Sequence, residues 1–326
     1  MVNPAVSSPF KISRTDKIAT GGSCFAQHIA RRLKASGYTY LVTEDVPTDV
    51  PPDIAMRYNY GVFSARYGNI YTARQLLQLL RRVQGLWEAE EPYWRDRDRW
   101  IDPFRPFIQP RGFASERELN EDRRQHYSAV LEMFRTADVF VFTLGLTEAW
   151  RSRVDGAVFP GCPGCNAGSF DPERYEFYNA DYRDVLSDMR AFIREIRKLN
   201  PTLKFIITVS PVPLTATASG EHVLSATTYS KSVLRAVAGK LDQEIENLVY
   251  FPSYEIITSQ SNRGRYFGAD LRTIEDLGVD HVMGAFFEHL CDTESVNLLS
   301  HRAESEDLAF NSSVALVCDE ERLIAQ

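Results

Sequence analysis

Residues 21–24 (GGSC) combine two glycines, a hydroxyl and a thiol between a short apolar run, 16–21, and a segment with helical spacing, 25–36. A helix N-terminus favours the thiolate form of a cysteine placed there, and glycine lets a substrate approach the backbone closely. The backbone N–H groups of such a turn can also bind an oxyanion. The pattern therefore fits a nucleophile at Cys24, and it equally fits a packed cysteine behind a helix-capping Ser23.

Polar residues also stand after the later apolar runs. They occupy 68–69 (GN), 145–148 (GLTE), 210–213 (SPVP) and the segment 270–281, which contains two aspartates, an arginine and a histidine. Ligands of open α/β sheets bind beyond the carboxyl ends of the strands. We therefore expect these segments to meet the Cys24 turn at one edge of a sheet.

The elements that must position these residues are predicted by the hydrophobic pattern. The predicted strands are 16–21, 38–42, 137–144, 203–209 and 248–251, and the predicted helices are 25–36, 72–83, 115–135, 182–198, 227–241 and 274–290. Strands that alternate with helices predict an α/β fold with a mainly parallel, five-stranded sheet and helices on both faces.

The domain organisation predicted from the sequence is one domain over 1–300 with two insertions. The first insertion, 85–117, contains three of the four tryptophans, and the second, 151–180, contains glycine and proline turns. We expect the insertions to form a cap over the sheet. The remaining 301–326 is a charged C-terminal tail.

Composition and charge exclude several classes of function. The net charge of −7 argues against a nucleic-acid binder and against binding to an anionic membrane surface. The sequence contains no run of about 18 apolar residues, so we expect no transmembrane helix. The N-terminal residues lack a signal-peptide pattern. Five scattered cysteines do not suggest a disulfide framework. We expect a soluble, cytoplasmic protein.

The stretch GGSCFAQHIA (21–30) resembles the signature of the GSCFA family, which is related to SGNH/GDSL esterases and acyltransferases. The resemblance covers about 10–290. Its other supporting stretches are RYGNIYTARQLLQLL (66–80), DPFRP (102–106), FVFTLGLTEAW (140–150), TVSPVPLTAT (208–217) and DLGVDHVMGAFF (276–287). The resemblance implies an SGNH-like or flavodoxin-like three-layer fold and acyl-transfer chemistry.

The resemblance also implies roles for particular residues. Laying the relatives' Gly-Asp-Ser-Leu block over 22–25 places Cys24 at the nucleophile and Ser23 at the aspartate. Gly68 matches the oxyanion glycine. Thr147 stands where the relatives carry an oxyanion asparagine, and its hydroxyl can still donate a hydrogen bond. Glu148 follows it as a residue that orders the site.

The catalytic base is the part of the pattern from which this chain departs. The relatives carry Asp-x-x-His before the last helix, whereas 270–273 reads DLRT, with threonine at the histidine position. The resemblance therefore leaves His281, inside the following helix, as the best candidate base, with a packing role as the alternative. His28 and His222 are the next candidates.

The function implied by this resemblance is an esterase or O-acyltransferase that acts on a glycan or another hydroxylated small-molecule substrate through Cys24. Such chemistry needs no metal or redox cofactor, although acyl-CoA could be the donor. Ser23 as the nucleophile is an alternative, as is a binding or scaffold protein that has lost catalysis. The lone CxxC at 162–165 is weak support for zinc.

Overall fold

A computed structural model describes residues 2–5, 8–47 and 49–292 of the chain, so the predicted tail 301–326 lies outside the described residues. The helices are α1 (Phe25–Ala35), α2 (Pro52–Arg57), α3 (Ala73–Val83), α4 (Glu116–Thr136), α5 (Tyr182–Ile196), α6 (Val223–Glu244), α7 (Ser253–Thr258) and α8 (Asp276–Leu290). The strands are β1 (Ile18–Gly22), β2 (Trp94–Asp96), β3 (Arg99–Ile101), β4 (Val139–Leu144), β5 (Glu148–Ser152), β6 (Val158–Phe159), β7 (Tyr175–Asn179), β8 (Lys204–Val209) and β9 (Leu248–Tyr250). Within these residues, no helix is both long enough and apolar enough to cross a bilayer.

The central sheet is parallel and has the strand order β1-β4-β8-β9. Ile18 pairs with Val139, and Val139 in turn pairs with Lys204. All six residues of β4 are buried, as expected for a central strand covered on both faces. The sheet therefore brings the carboxyl ends of β1, β4 and β8 to one edge.

The predicted five-stranded sheet is corrected to four strands in the described part of the chain. The segment 38–42 does not form a strand and makes a single parallel bridge, between Tyr40 and Ile18. Ile18 N–H donates to the Thr39 carbonyl and Leu41 N–H donates to the Ile18 carbonyl, but the next N–H groups, of Thr20 and Thr43, both donate to Ser64. The β-favouring side chains of this run fitted a strand, but Ser64 takes the donors that would continue the pairing.

Helices cover both faces of the sheet because successive strand residues point to opposite sides. On one face, α3, α4, α5 and α6 pack against a cluster that includes Phe140, Phe142 and Phe205. On the other face, α1, α7 and α8 pack against a cluster that includes Val139 and Val141. The fold is therefore an α/β fold with a parallel four-stranded sheet flanked by helices.

The two segments predicted as insertions form small sheets of their own. The first contains the β2–β3 hairpin, and the second contains most of the antiparallel sheet β6-β5-β7. A buried ion cluster joins the first segment to α4. Asp102 accepts a hydrogen bond from Arg105 Nε at 3.0 Å and lies 3.6 Å from Arg123 Nε, while Arg105 Nη2 donates to Asp122 at 2.7 Å.

Candidate active site

The turn after β1 is built around a glycine that no other residue can replace without strain. Gly22 has φ +132°, and a Cβ at this position would lie 2.3 Å from the Thr143 carbonyl oxygen. The next N–H, that of Ser23, donates to the same oxygen at 3.2 Å. The chain then enters α1 with Cys24 at the N-cap. Gly22 therefore holds Ser23 and Cys24 against the carboxyl end of β4.

Ser23 and Cys24 line a small cavity at the carboxyl edge of the sheet. Its water-accessible volume is about 10 Å³, which is space for about one water molecule. Segments from three strand ends, from α6 and from the loop before α8 meet here. The other lining residues are Tyr71, Gly145, Leu146, Ser210, Val212, Pro213, Lys231 and Arg272.

The loop after β4 approaches Ser23 closely. A Cβ on Gly145 would lie 2.9 Å from the Ser23 Cβ and 3.1 Å from the Tyr71 carbonyl oxygen. That same oxygen accepts hydrogen bonds from the Gly145 and Leu146 N–H groups at 3.1 and 3.0 Å. These contacts fix the part of the cavity wall that Gly145 and Leu146 form.

The two side chains of the turn differ in their surroundings. Cys24 is 4% exposed, and its thiol is free of any disulfide. The Ser23 hydroxyl, in a residue that is 3% exposed, has no hydrogen-bond partner in the described structure. A buried hydroxyl without a partner loses its hydration with no compensating bond. The Ser23 hydroxyl is therefore a hydrogen-bonding group within the cavity that makes no hydrogen bond to the described residues.

Two basic side chains contribute to the cavity. Lys231 is 1% exposed, and its Nζ donates to the Gly145 carbonyl at 2.8 Å. Arg272 comes from the segment in which the family resemblance expects a histidine. Sequence reasoning missed Lys231, although its spacing to Leu234 and Ala238 places it on the buried face of the predicted helix.

Gly68 and Asn69 lie close to the turn but outside the Cys24 cavity. Gly68 has φ +69° and borders a neighbouring cavity with Asn69 and Arg105. The Asn69 Oδ1 accepts a hydrogen bond from Gln27 Nε2 at 3.3 Å. The following residue, Ile70, donates its N–H to the Gly22 carbonyl at 2.8 Å. The segment is thus tied to the nucleophile turn through the backbone.

Thr147 and Glu148 bind protein groups outside the cavity lining. The buried Thr147 hydroxyl donates to Asn179 Oδ1 at 2.6 Å, and the Thr147 N–H donates to a serine of α6. The Glu148 Oε1 accepts a hydrogen bond from the Thr217 hydroxyl at 2.8 Å. Thr147 therefore fixes the start of β5 against β7, and Glu148 contacts the loop after β8.

His281, the predicted base, contacts Tyr266 and does not line the Cys24 cavity. Its Nδ1 is hydrogen-bonded to the Tyr266 hydroxyl at 2.8 Å, with the two rings in edge contact. Burial, with a smaller contribution from Arg265, lowers the pKa of His281. His281 is not among the residues that line the Cys24 cavity.

The two alternative histidines are also outside the cavity lining. Burial, followed by the charges of Arg31 and Arg32, lowers the pKa of His28 to about 3, so His28 is neutral near pH 7. His222 caps α6 by accepting the Leu224 N–H at its Nδ1. Among residues 2–5, 8–47 and 49–292, the cavity thus combines a thiol with two basic side chains and contains no imidazole.

The CxxC pair lies in the loop between β6 and β7. Cys162 is half-buried and Cys165 is exposed, and both are free thiols. Burial, followed by the neighbouring Cys165, raises the pKa of Cys162 to about 12. Over the described ranges, no group of three or more His, Cys, Asp or Glu side chains is arranged to hold a metal ion.

Comparison with known proteins gives a strong match to one family and distant matches to solved structures. The model of the GSCFA family matches residues 17–286. A Streptococcus pneumonia structure provisionally described as a platelet activating factor is 10% identical with a TM-score of 0.29, over 49% of this chain and 66% of that protein. A carbohydrate esterase family 3 protein from Talaromyces cellulolyticus is 12% identical with a TM-score of 0.28, over 72% of this chain and 93% of that protein. Comparison with curated protein sequences gives no match.

Proposed function

Because the chain belongs to the GSCFA family, we propose that it is an acyl-transfer enzyme on an SGNH-like, three-layer α/β fold. It would act as an esterase or an O-acyltransferase on a glycan or another hydroxylated substrate. The observation that supports this most directly is the position of Cys24, at the N-cap of α1 and in the cavity where three parallel strands end. Sites of open α/β folds form at this edge of the sheet.

In the first half of the proposed reaction, Cys24 Sγ attacks the acyl carbon of an ester. A sulfur–carbon bond forms, the carbonyl becomes an oxyanion, and the carbon–oxygen bond of the ester then breaks. The alkoxide that leaves takes up the proton that the thiol has lost. In the second half, water or an acceptor hydroxyl attacks the thioester carbon, the carbon–sulfur bond breaks, and the proton of the attacking group returns to sulfur.

The cavity offers positive charge for the oxyanion. Lys231 and Arg272 line it, and the N-terminus of α1 adds the partial positive charge of the helix dipole. Fixed positive groups beside a developing oxyanion lower the barrier to acyl transfer. His281 stays the sequence-based proposal for relaying the proton, and in that role it would have to give up its hydrogen bond to Tyr266.

A panel of acyl esters and acyl-CoA thioesters, assayed on wild type and on Cys24→Ala, tests this function. We expect turnover with at least one donor, a mass increase of one acyl group on Cys24, and a loss of about 10³-fold or more in Cys24→Ala. Cys291→Ala is the matched control, because Cys291 is a buried free cysteine remote from the cavity lining. Equal turnover in wild type and Cys24→Ala would refute the proposal.

A second candidate function is a binding protein that has lost catalysis. The observations that favour it are the lack of a histidine in the lining of the described cavity and the engagement of the Thr147 hydroxyl by Asn179. A binding protein would show no turnover with any donor and no acyl group on Cys24, while still binding a hydroxylated ligand in calorimetry.

A further inference from the structure

The Ser23 hydroxyl is placed to bind a substrate oxygen. It is buried beside Cys24 and lines the same cavity. In the described structure, it forms no hydrogen bond with any protein group. A folded protein retains such a group at a cost, since alanine would fill the same position without an unsatisfied hydroxyl. Because the Ser23 hydroxyl also lines a cavity, it is accessible to a ligand that could complete its hydrogen bonding.

The rest of the cavity sets the size of that ligand. Leu146, Val212 and Pro213 supply an apolar wall, and the space beside Cys24 holds about one water molecule. This space can take the carbonyl oxygen of a substrate, and an acetyl group, which carries a single methyl beside that carbonyl, displaces the apolar wall far less than a long alkyl chain does. Because interiors are close-packed, each added methylene meets resistance from these side chains.

We propose that this cavity is the binding site for a short, acetyl-sized acyl group, whose carbonyl oxygen accepts a hydrogen bond from the Ser23 hydroxyl. The inference rests on the proposed function, because acyl transfer is what brings a carbonyl group to Cys24. Ser23 thereby takes the donor role that the sequence assigned to Thr147, whose hydroxyl donates to Asn179.

The first test measures the rate at which p-nitrophenyl acetate, butyrate and octanoate acylate Cys24, followed by intact-protein mass spectrometry. We expect the rate to fall at least about 10-fold from acetate to octanoate, since apolar pockets discriminate by about this factor or more per methylene. Val212→Ala, which widens the apolar wall, should recover part of the octanoate rate. An octanoate rate equal to the acetate rate in wild type overturns the size assignment.

The second test compares Ser23→Ala with Thr143→Val. Thr143 also carries a buried hydroxyl without a partner, but it lies in β4 outside the cavity lining. Both changes remove an unsatisfied hydroxyl, so both variants should unfold at the wild-type temperature or above it. Ser23→Ala alone should slow acetylation of Cys24, by about 10²–10³-fold as for the loss of an oxyanion donor.

The outcomes separate this inference from the function on which it rests. Full acetylation rates in Ser23→Ala, or equal losses in Ser23→Ala and Thr143→Val, overturn the role of the Ser23 hydroxyl while leaving acyl transfer standing. No acylation of wild-type Cys24 by any ester or thioester refutes the proposed function itself.

Discussion

Replacing Gly22 by alanine should cost far more stability than the same change at Gly68. Both glycines have positive φ, +132° and +69°, but a Cβ on Gly22 meets the Thr143 carbonyl at 2.3 Å, whereas a Cβ on Gly68 has no atom within 4 Å. The backbone strain alone is worth about 1–3 kcal/mol. Relieving the clash must move β1 away from β4, which weakens the hydrogen bonds of Ser23 N to Thr143 and of Ile70 N to Gly22, each worth about 1 kcal/mol.

Gly22→Ala should therefore lower the free energy of unfolding by about 3–5 kcal/mol, and Gly68→Ala by about 1 kcal/mol. Urea unfolding followed by circular dichroism gives both values, with the Gly68 variant as the matched control for backbone strain. Similar losses in the two variants would show that the close approach of Gly22 to β4 does not govern the turn. Cys24 should also lose its reactivity in Gly22→Ala, since the turn that positions it is displaced.

Three further predictions concern individual side chains. His281→Ala should lower turnover by about 10²–10⁴-fold if it relays the proton as proposed, whereas turnover within about threefold of wild type would show that the proton moves by another route. Asp102→Asn removes the buried carboxylate that Arg105 and Arg123 share, leaves Arg105 with Asp122, and should cost about 3–5 kcal/mol in urea unfolding, whereas Glu121→Gln, at an exposed ion pair, should change the free energy of unfolding by less than about 1 kcal/mol. Burial lowers the pKa of His126 from 6.5 to about 4, so between these values the unfolded chain binds a proton that the folded chain does not. The free energy of unfolding should therefore fall by on the order of 3 kcal/mol as the pH decreases from 6.5 to 4. In His126→Gln, the midpoint of urea unfolding should depend less on pH over that range.

Most of the central architecture could be predicted from the sequence because its signals are local. Ser115 was expected to begin a helix that ends near residue 135, and α4 runs from Glu116 to Thr136 with the Ser115 hydroxyl accepting the Glu118 N–H. The predicted strand 137–144 is confirmed as β4 within two residues. Apolar periodicity and helix caps depend on residues that are close in the sequence. They can therefore be recognised without knowledge of the tertiary structure.

The fifth strand and the cavity lining could not be predicted in the same way. The segment 38–42 stops pairing with β1 where the N–H groups of Thr20 and Thr43 donate to Ser64, a contact from another part of the chain that the pattern of 38–42 does not encode. Lys231 reaches Gly145, more than 80 residues earlier, only because α6 packs beside the end of β4. The role expected for Thr147 came from matching a short block, and His281 was chosen because the corresponding block of this chain lacks a histidine. Such matching does not reveal that Asn179 and Tyr266 are their hydrogen-bond partners.

The pairing of β1 with β4 has a consequence for how the protein is made. Ile18 pairs with Val139, about 120 residues further along the chain, and the cavity is completed by Arg272. At a translation rate of about 5–20 residues per second, the first strand is synthesised roughly 6–24 seconds before its partner. During that interval its backbone N–H and C=O groups lack the strand β4 with which they pair in the folded protein. Nascent chains that stop before residue 272 should accordingly show no Cys24-dependent activity.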